Sequence, residues 1–140
     1  MDIITQLRRD EGEKFVAYQD SKGFWTIGIG ICIDSRVPGA GITPEESIYL
    51  LNNRIAKWNT ILYARLPYFQ NLDPVRQAVL IDMTHNLGFD GLEKFTNFLH
   101  CMAQGDWNGA AGEMLDSLWA KQVGDRAIRL AQQIKTGEWV

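Results

Sequence analysis

What this chain has little of narrows its possibilities first. Cysteine is scarce: Cys32 and Cys101 are the two in 140 residues, and they form no CxxC arrangement. That leaves no disulfide framework, and two reduced thiols in a cytoplasmic product are expected, not bonded to each other. Histidine is limited to His85 and His100, which with Cys101 lack the spacing of a zinc site, so no metal and no cofactor are expected. No apolar run is long enough to span a bilayer, and the opening MDIITQLRRDEGEK does not suit a signal peptide. The expectation is a protein without a membrane anchor, kept in the cytoplasm of its cell until something releases it. Charge of one sign is lacking too. A net charge of -3 gives no global pull on nucleic acid or anionic lipid, so no nucleic-acid partner is expected. Repeats and low-complexity tracts are absent.

What is present is ordinary for a globular chain, with 46% hydrophobic and 22% charged residues. The length suits one compact domain or two small lobes sharing a core. Asp2 is a plausible N-cap for a short helix carrying Ile3, Ile4 and Leu7, which should stop near Glu11 because Gly12 follows. KFVAYQD reads as a strand and DSKG as a turn, so the next stretch pairs back as a hairpin. SRVPGAG is a loop. Thr43, Pro44 and Glu46 then make an N-cap, an N1 proline and a capping box. Ile48, Leu51, Ile55, Trp58 and Leu62 form one face of a helix running to about Leu66. The remainder reads as helices: LDPVRQAVLIDMTHNLG, capped by Asp73 and Pro74 and closing at Gly88, then LEKFTNFLHCMAQG, DWNGAAGEMLDSLW and DRAIRLAQQIKTG, ending at Gly137. Trp58, Trp107 and Trp119 sit at helical spacing and read as core. A hairpin segregated from helices is an α+β arrangement. One domain over 1–140 is expected, with a small lobe at 1–42, a connecting helix at 43–66 and a helical lobe at 67–140. A cleft between the lobes is the expected ligand site.

The segment FWTIGIGICID is unusual for a strand. Trp25, Ile27, Ile29 and Ile31 alternate with Thr26, Gly28, Gly30 and Cys32. Period two gives one apolar face and one of small residues. Two glycines on one face weaken a strand, so either something lies close against that backbone or the chain bends sharply there.

Three polar residues surround this segment. Glu11 ends the first helix, where the negative end of the dipole disfavours its ionised form, and exclusion of water would raise its pKa further. Asp20, on an exposed turn, should stay ionised, and Thr26 lies on the small-residue face. A protonated and an ionised carboxyl are the pair that glycoside hydrolysis uses. Spacing alone favours a plainer account, in which Asp20 is a turn former and Thr26 a β-branched strand residue.

DEGEKFVAYQDSKGFWTIGIG nevertheless resembles the catalytic segment of the phage-type, T4-like lysozymes. The pattern is Glu, eight residues, Asp, five residues, Thr, then Ile-Gly and a second Gly. Glu11, Asp20, Thr26, Gly28 and Gly30 fill it. Similarity continues at Phe95–Asn97, at Trp119, at Asp125, Arg126, Ala127 and Arg129, and in the terminal TGEW. The resemblance implies a lysozyme-like fold and an endolysin cleaving the β-1,4 bond between N-acetylmuramic acid and N-acetylglucosamine of peptidoglycan, with inversion. Glu11 would be the general acid, Asp20 would position water or stabilise the transition state, and Thr26 would hold the water. Gly28 and Gly30 would leave room for a sugar ring. Asn86 would contact an acetamido or hydroxyl group. His85 is equally well a helix-terminal polar residue. Phe95 and Asn97 would line the substrate. Arg126, with Arg129 on the same face, would meet acidic peptide stems or stay solvated. The same resemblance implies a monomer, a holin-type membrane partner for release, and action on the wall in the periplasm, ending in lysis of the host cell.

The chain departs from its relatives in two ways. Ile31 stands where relatives often carry His, so a buried His–carboxylate pair is absent there. The long helix also follows the hairpin early, so the first lobe should be trimmed. Two other functions stay open at this point. A lytic transglycosylase needs one acid and no partner carboxylate, which Asp20 and Thr26 argue against. A non-catalytic wall-binding relative would have no use for the intact Glu, Asp and Thr set.

Overall fold

Local capping signals act along the chain as their chemistry requires. The computed structural model describes residues 2–140. Asp2 accepts the Thr5 amide at 2.8 Å and starts α1 (Ile3–Glu11), and Gly12 ends it with its N–H on the Arg8 carbonyl. Strands β1 (Lys14–Gln19), β2 (Trp25–Gly28) and β3 (Ile31–Cys32) form an antiparallel sheet in the order β1-β2-β3. Thr43 and Glu46 exchange hydrogen bonds at 3.1 and 2.7 Å, a complete capping box, and α2 (Pro44–Arg65) follows. With 22 residues it is about 33 Å long. The fold is α+β, with a small sheet near the N-terminus and seven α-helices among the described residues. The chain divides into two compact units, Met1–Leu50 and Leu51–Val140, so the boundary falls within α2.

In the first unit the reading of FWTIGIGICID as one strand is corrected. The strand stops at Gly28, turns through Ile29 and Gly30, and returns as β3, with Ile27 paired to Ile31 and Thr26 to Cys32. Both glycines have φ of +66°, in the left-handed region that side chains with a Cβ avoid. Alternation could not report this, since a period-two pattern carries no sign of φ. Ile31 still shares a face with Ile27, but through pairing across the turn.

In the second unit, Asp73 caps α3 (Pro74–Glu93) by accepting the Val75 and Arg76 amides at 3.1 and 3.0 Å. The helical backbone breaks at Gly88, φ 71° and ψ 163°, as the sequence predicts, and a further turn resumes to Glu93. Leu92, Glu93 and Lys94 therefore close α3 instead of opening the next helix. The remaining helices are α4 (Thr96–Gln104), α5 (Trp107–Leu115), α6 (Leu118–Val123) and α7 (Asp125–Thr136). DWNGAAGEMLDSLW, expected to be one helix, is split where Ser117 caps α6 by accepting the Ala120 amide at 3.1 Å. The core gathers Leu62, Phe69, Leu80, Met83, Leu92, Phe98, Met102, Met114 and Ile134, none more than 1% exposed. Buried Ala110 and Ala111 on α5, with Ala127 and Ala131 on α7, let these two helices approach closely. Trp119 joins this core and Trp107 packs at its edge. Trp58 is only half-buried, and the apolar face of α2 is graded: Ile48 and Leu51 are exposed, and Leu62 is fully buried. Cys32 and Cys101 are both free and partly buried.

Candidate active site

Glu11, Asp20 and Thr26 all belong to the first unit, and the sheet explains how each is held. Glu11 ends α1, and its side chain lies against the β2–β3 turn. A Cβ built on Gly30 would sit 2.8 Å from Glu11 Oε2 and 3.0 Å from its Cδ and Cγ. The bare backbone at Gly30 thus makes room for the Glu11 carboxyl group, where a sugar ring was expected. At Gly28 a Cβ would meet only Ile31 Cδ1, at an ordinary 3.6 Å, so the φ angle alone accounts for that glycine. Glu11 itself is exposed and not shut away from water.

Asp20 and Thr26 are tied to one residue, Phe24. Asp20 Oδ1 accepts the Lys22 and Phe24 amides, each at 2.9 Å. The Phe24 carbonyl accepts the Asp20 amide at 2.9 Å and the Thr26 hydroxyl at 3.1 Å. Asp20 is therefore a turn former, as the plainer account has it, and its turn bonds fix one carboxylate oxygen. Oδ2 has no hydrogen bond among the described residues. Thr26 is buried, with its hydroxyl hydrogen spent on Phe24, so its oxygen is left as an acceptor.

Sequence reasoning missed Asp34 and Arg36 beside this group. Asp34 is 3% exposed and accepts four hydrogen bonds: Trp25 N–H at 2.9 Å and Arg36 Nη2 at 2.7 Å on Oδ2, and Arg36 N–H at 3.0 Å and Nε at 2.8 Å on Oδ1. The Arg36 guanidinium, followed by the Trp25 and Arg36 amides, holds the Asp34 carboxyl well below the usual carboxylate range. Arg36 Nη2 also donates to the Gly23 carbonyl at 2.7 Å, and the guanidinium lies 5.2 Å from the Phe24 ring centroid. In the sequence these two are merely polar residues flanking Ser35 before a Pro/Gly loop. Nothing local shows that they reach back to the hairpin.

The residues expected to bind substrate from the second unit have varied surroundings. His85 is exposed and lies 3.4 Å from Trp58 Nε1 through Nδ1. Asn86 Oδ1 accepts Trp119 Nε1 at 2.8 Å, which leaves the Asn86 amide N–H groups for another acceptor. Arg126 is ion-paired with Asp82, its Nη2 2.8 Å from Oδ1, so it is not a lone arginine, though its side chain is still 34% exposed. Phe95 stacks edge-on against Phe98 and Trp119, a packing role. Phe95 and Asn97 also line a cavity of about 210 Å³ with Lys94, Glu113, Asp116 and Ser117. Asp116 and Ser117 were not singled out from sequence, because the α5–α6 break in which they lie was read as continuous helix, and Glu113, on α5, carried no signal of its own.

Comparison with known proteins gives this arrangement a family. Residues 8–133 match the family model described as phage lysozyme. The chain is 32% identical to the pre-baseplate central spike protein Gp5 of Enterobacteria phage T4, over 98% of this chain and 28% of the spike protein. It is thus similar to a segment spanning about a quarter of that protein. It is 27% identical to probable T4-type lysozyme 1 of Dictyostelium discoideum, covering 96% of this chain and 94% of that protein. It is 31% identical to the endolysin of Salmonella phage P22, covering 93% and 88% of the two chains. With Glu11, Asp20 and Thr26 gathered in the unit that holds the small sheet, and a family match over most of its length, the chain belongs to the phage lysozyme family of lysozyme-like cell-wall hydrolases.

Proposed function

We propose that this protein is an endolysin that hydrolyses the β-1,4 bond between N-acetylmuramic acid and N-acetylglucosamine in peptidoglycan. The observation that carries the reading is the joint tethering of Asp20 and Thr26 to Phe24, beside a turn against which Glu11 is packed. In this reading Glu11 donates a proton to the departing glycosidic oxygen. Asp20 presents Oδ2, the oxygen its turn leaves over, to the positive charge developing on the sugar. A water donating one hydrogen to Thr26 Oγ1 and the other to Asp20 has its lone pair directed at the anomeric carbon. That is a single displacement with inversion, and it puts Asp20 in the role of general base. Within the second unit, Asn86, through its free amide N–H groups, and Asn97, lining the polar cavity that Phe95 shapes, are the residues proposed to contact substrate, and Arg126 and His85 lie on α7 and α3 of the same unit. Gly28 and Gly30 shape the turn against which the acid packs.

The protein works as a monomer on the wall. No helix among the described residues is long and apolar enough to cross a membrane. Release from the host cytoplasm to the periplasm thus falls to a holin-type partner. The match to a spike protein favours a second placement, within the virion, which fractionation of phage particles and lysates would separate from the first. The chemistry is tested by Glu11→Gln, which keeps the shape against Gly30 but has no proton to give. Wall lysis should fall about 10²–10⁴-fold while the fold survives. Lysis within a few-fold of wild type would remove Glu11 from the reaction. Fragments of digested wall should carry an added water with α configuration at the new reducing end, and anhydro ends would indicate a transglycosylase instead.

A further inference from the structure

We infer that Asp34 and Arg36 are a positioning pair for Asp20, holding the Gly23–Trp25 backbone from which the Asp20 carboxylate takes its orientation. The inference rests on the reading of Asp20 given above.

The three residues from Gly23 to Trp25 are held from two sides. From Asp20 come its Oδ1 on the Phe24 N–H, its N–H on the Phe24 carbonyl, and its carbonyl on the Gly23 N–H. From the other side come Arg36 Nη2 on the Gly23 carbonyl, the guanidinium over the Phe24 ring, and Asp34 Oδ2 on the Trp25 N–H. The pair therefore touches the residues that set Asp20 and Thr26 and joins no apolar cluster. Asp34 spends both oxygens on four donors, so it has no part to play as a nucleophile or base. Its charge is absorbed in fixing Arg36. Arg36 and Asp20 also attract each other.

The residue types fit the task. A guanidinium presents its N–H groups in a rigid plane, so one arginine grips a carboxylate through Nε and Nη2 and still reaches a carbonyl. An ammonium has the charge but not the fork. The Arg36 side chain is 61% exposed, yet it is held at both ends, which locates it without burying it. Such support matters because a displacement of about 1 Å in a reacting group costs on the order of 10²-fold in rate.

The test compares wild type, Arg36→Met, Arg36→Lys and Asp20→Asn in two measurements: turnover on soluble peptidoglycan fragments, and amide hydrogen exchange by NMR. If the pair positions Asp20, both Arg36 variants lose roughly tenfold or more in kcat, with KM within about twofold. The Lys22 and Phe24 amides, which bond to Asp20 Oδ1, then exchange at least about tenfold faster, while the β2–β3 amides do not. Unchanged kcat in Arg36→Met, full rescue by Arg36→Lys, or unchanged exchange at Lys22 and Phe24 would each overturn the inference. Should Arg36→Met fail to fold, Arg36→Lys carries the same test. If Asp20→Asn keeps wild-type turnover, the reading of the site fails. The exchange data still decide whether the pair holds the Asp20 turn.

Discussion

Among the described residues up to Leu50, the buried side chains are Thr26 and Asp34, both polar, whereas Leu51–Val140 buries twenty hydrophobic residues. The contrast separates two ways of fixing a chain. Apolar burial is non-directional; it makes a unit resist unfolding as a whole but does not place any one oxygen. Hydrogen bonds weaken steeply with angle, so a region held by them is held in a particular geometry. The proposed acid, carboxylate and water-holder all lie in the region held by direction.

The largest expected effect breaks the apolar side. Leu80 is fully buried, and Leu80→Ala should destabilise the protein by about 2–5 kcal/mol in urea denaturation. Phe15→Ala removes a larger side chain from β1, but Phe15 is 83% exposed, so a change within about 0.5 kcal/mol is expected. Equal losses would refute the contrast. Next is Gly30→Ala, which combines an unfavourable φ with a collision against Glu11. It should cost about 1–2 kcal/mol in stability. Wall lysis should fall by more than about tenfold, because Glu11 must move. An alanine variant with wild-type lysis would show that the close approach is incidental.

The smallest effect concerns acid. The folded-state pKa of Asp34 is depressed, chiefly by Arg36, so its stabilisation is present above the unfolded-state value of about 3.9 and is lost as pH falls below it. Melting temperatures of wild type and Asp34→Asn should therefore begin to converge below about pH 5 and go on converging to the lowest pH at which the protein stays folded, with wild type higher at neutral pH. Parallel curves would show that the carboxylate contributes nothing through its charge.

Much of the framework is legible in the sequence because it depends on neighbours in the chain. The caps at Asp2, Thr43 and Asp73, the break at Gly88 and the stop at Gly137 each need only a few adjacent residues. The failures have a common cause. Glycine permits a positive φ without announcing it, so the turn at Gly28–Gly30 is invisible to a period-two pattern. The break before Ser117 hides in a stretch whose apolar residues still recur at helical spacing. Ile48 and Leu51 continue the α2 stripe that Leu62 buries, but periodicity marks a face and not its cover. The Glu, Asp and Thr set is legible through family resemblance. Asp34 and Arg36 are not, since their meaning depends on hairpin residues nine to thirteen positions upstream.

The two cysteines have a practical consequence. One free thiol lies in each unit, at Cys32 and Cys101. Burial, reinforced by Asp106 and Glu113, pushes the Cys101 thiol up, so at neutral pH its reactive thiolate forms more sparingly than an ordinary cysteine's. A maleimide dye should therefore label Cys101 slowly at neutral pH and faster as the pH is raised. The natural sequence already has the two addresses for a donor and an acceptor fluorophore, so the spacing of the units during wall digestion is measurable without a single substitution.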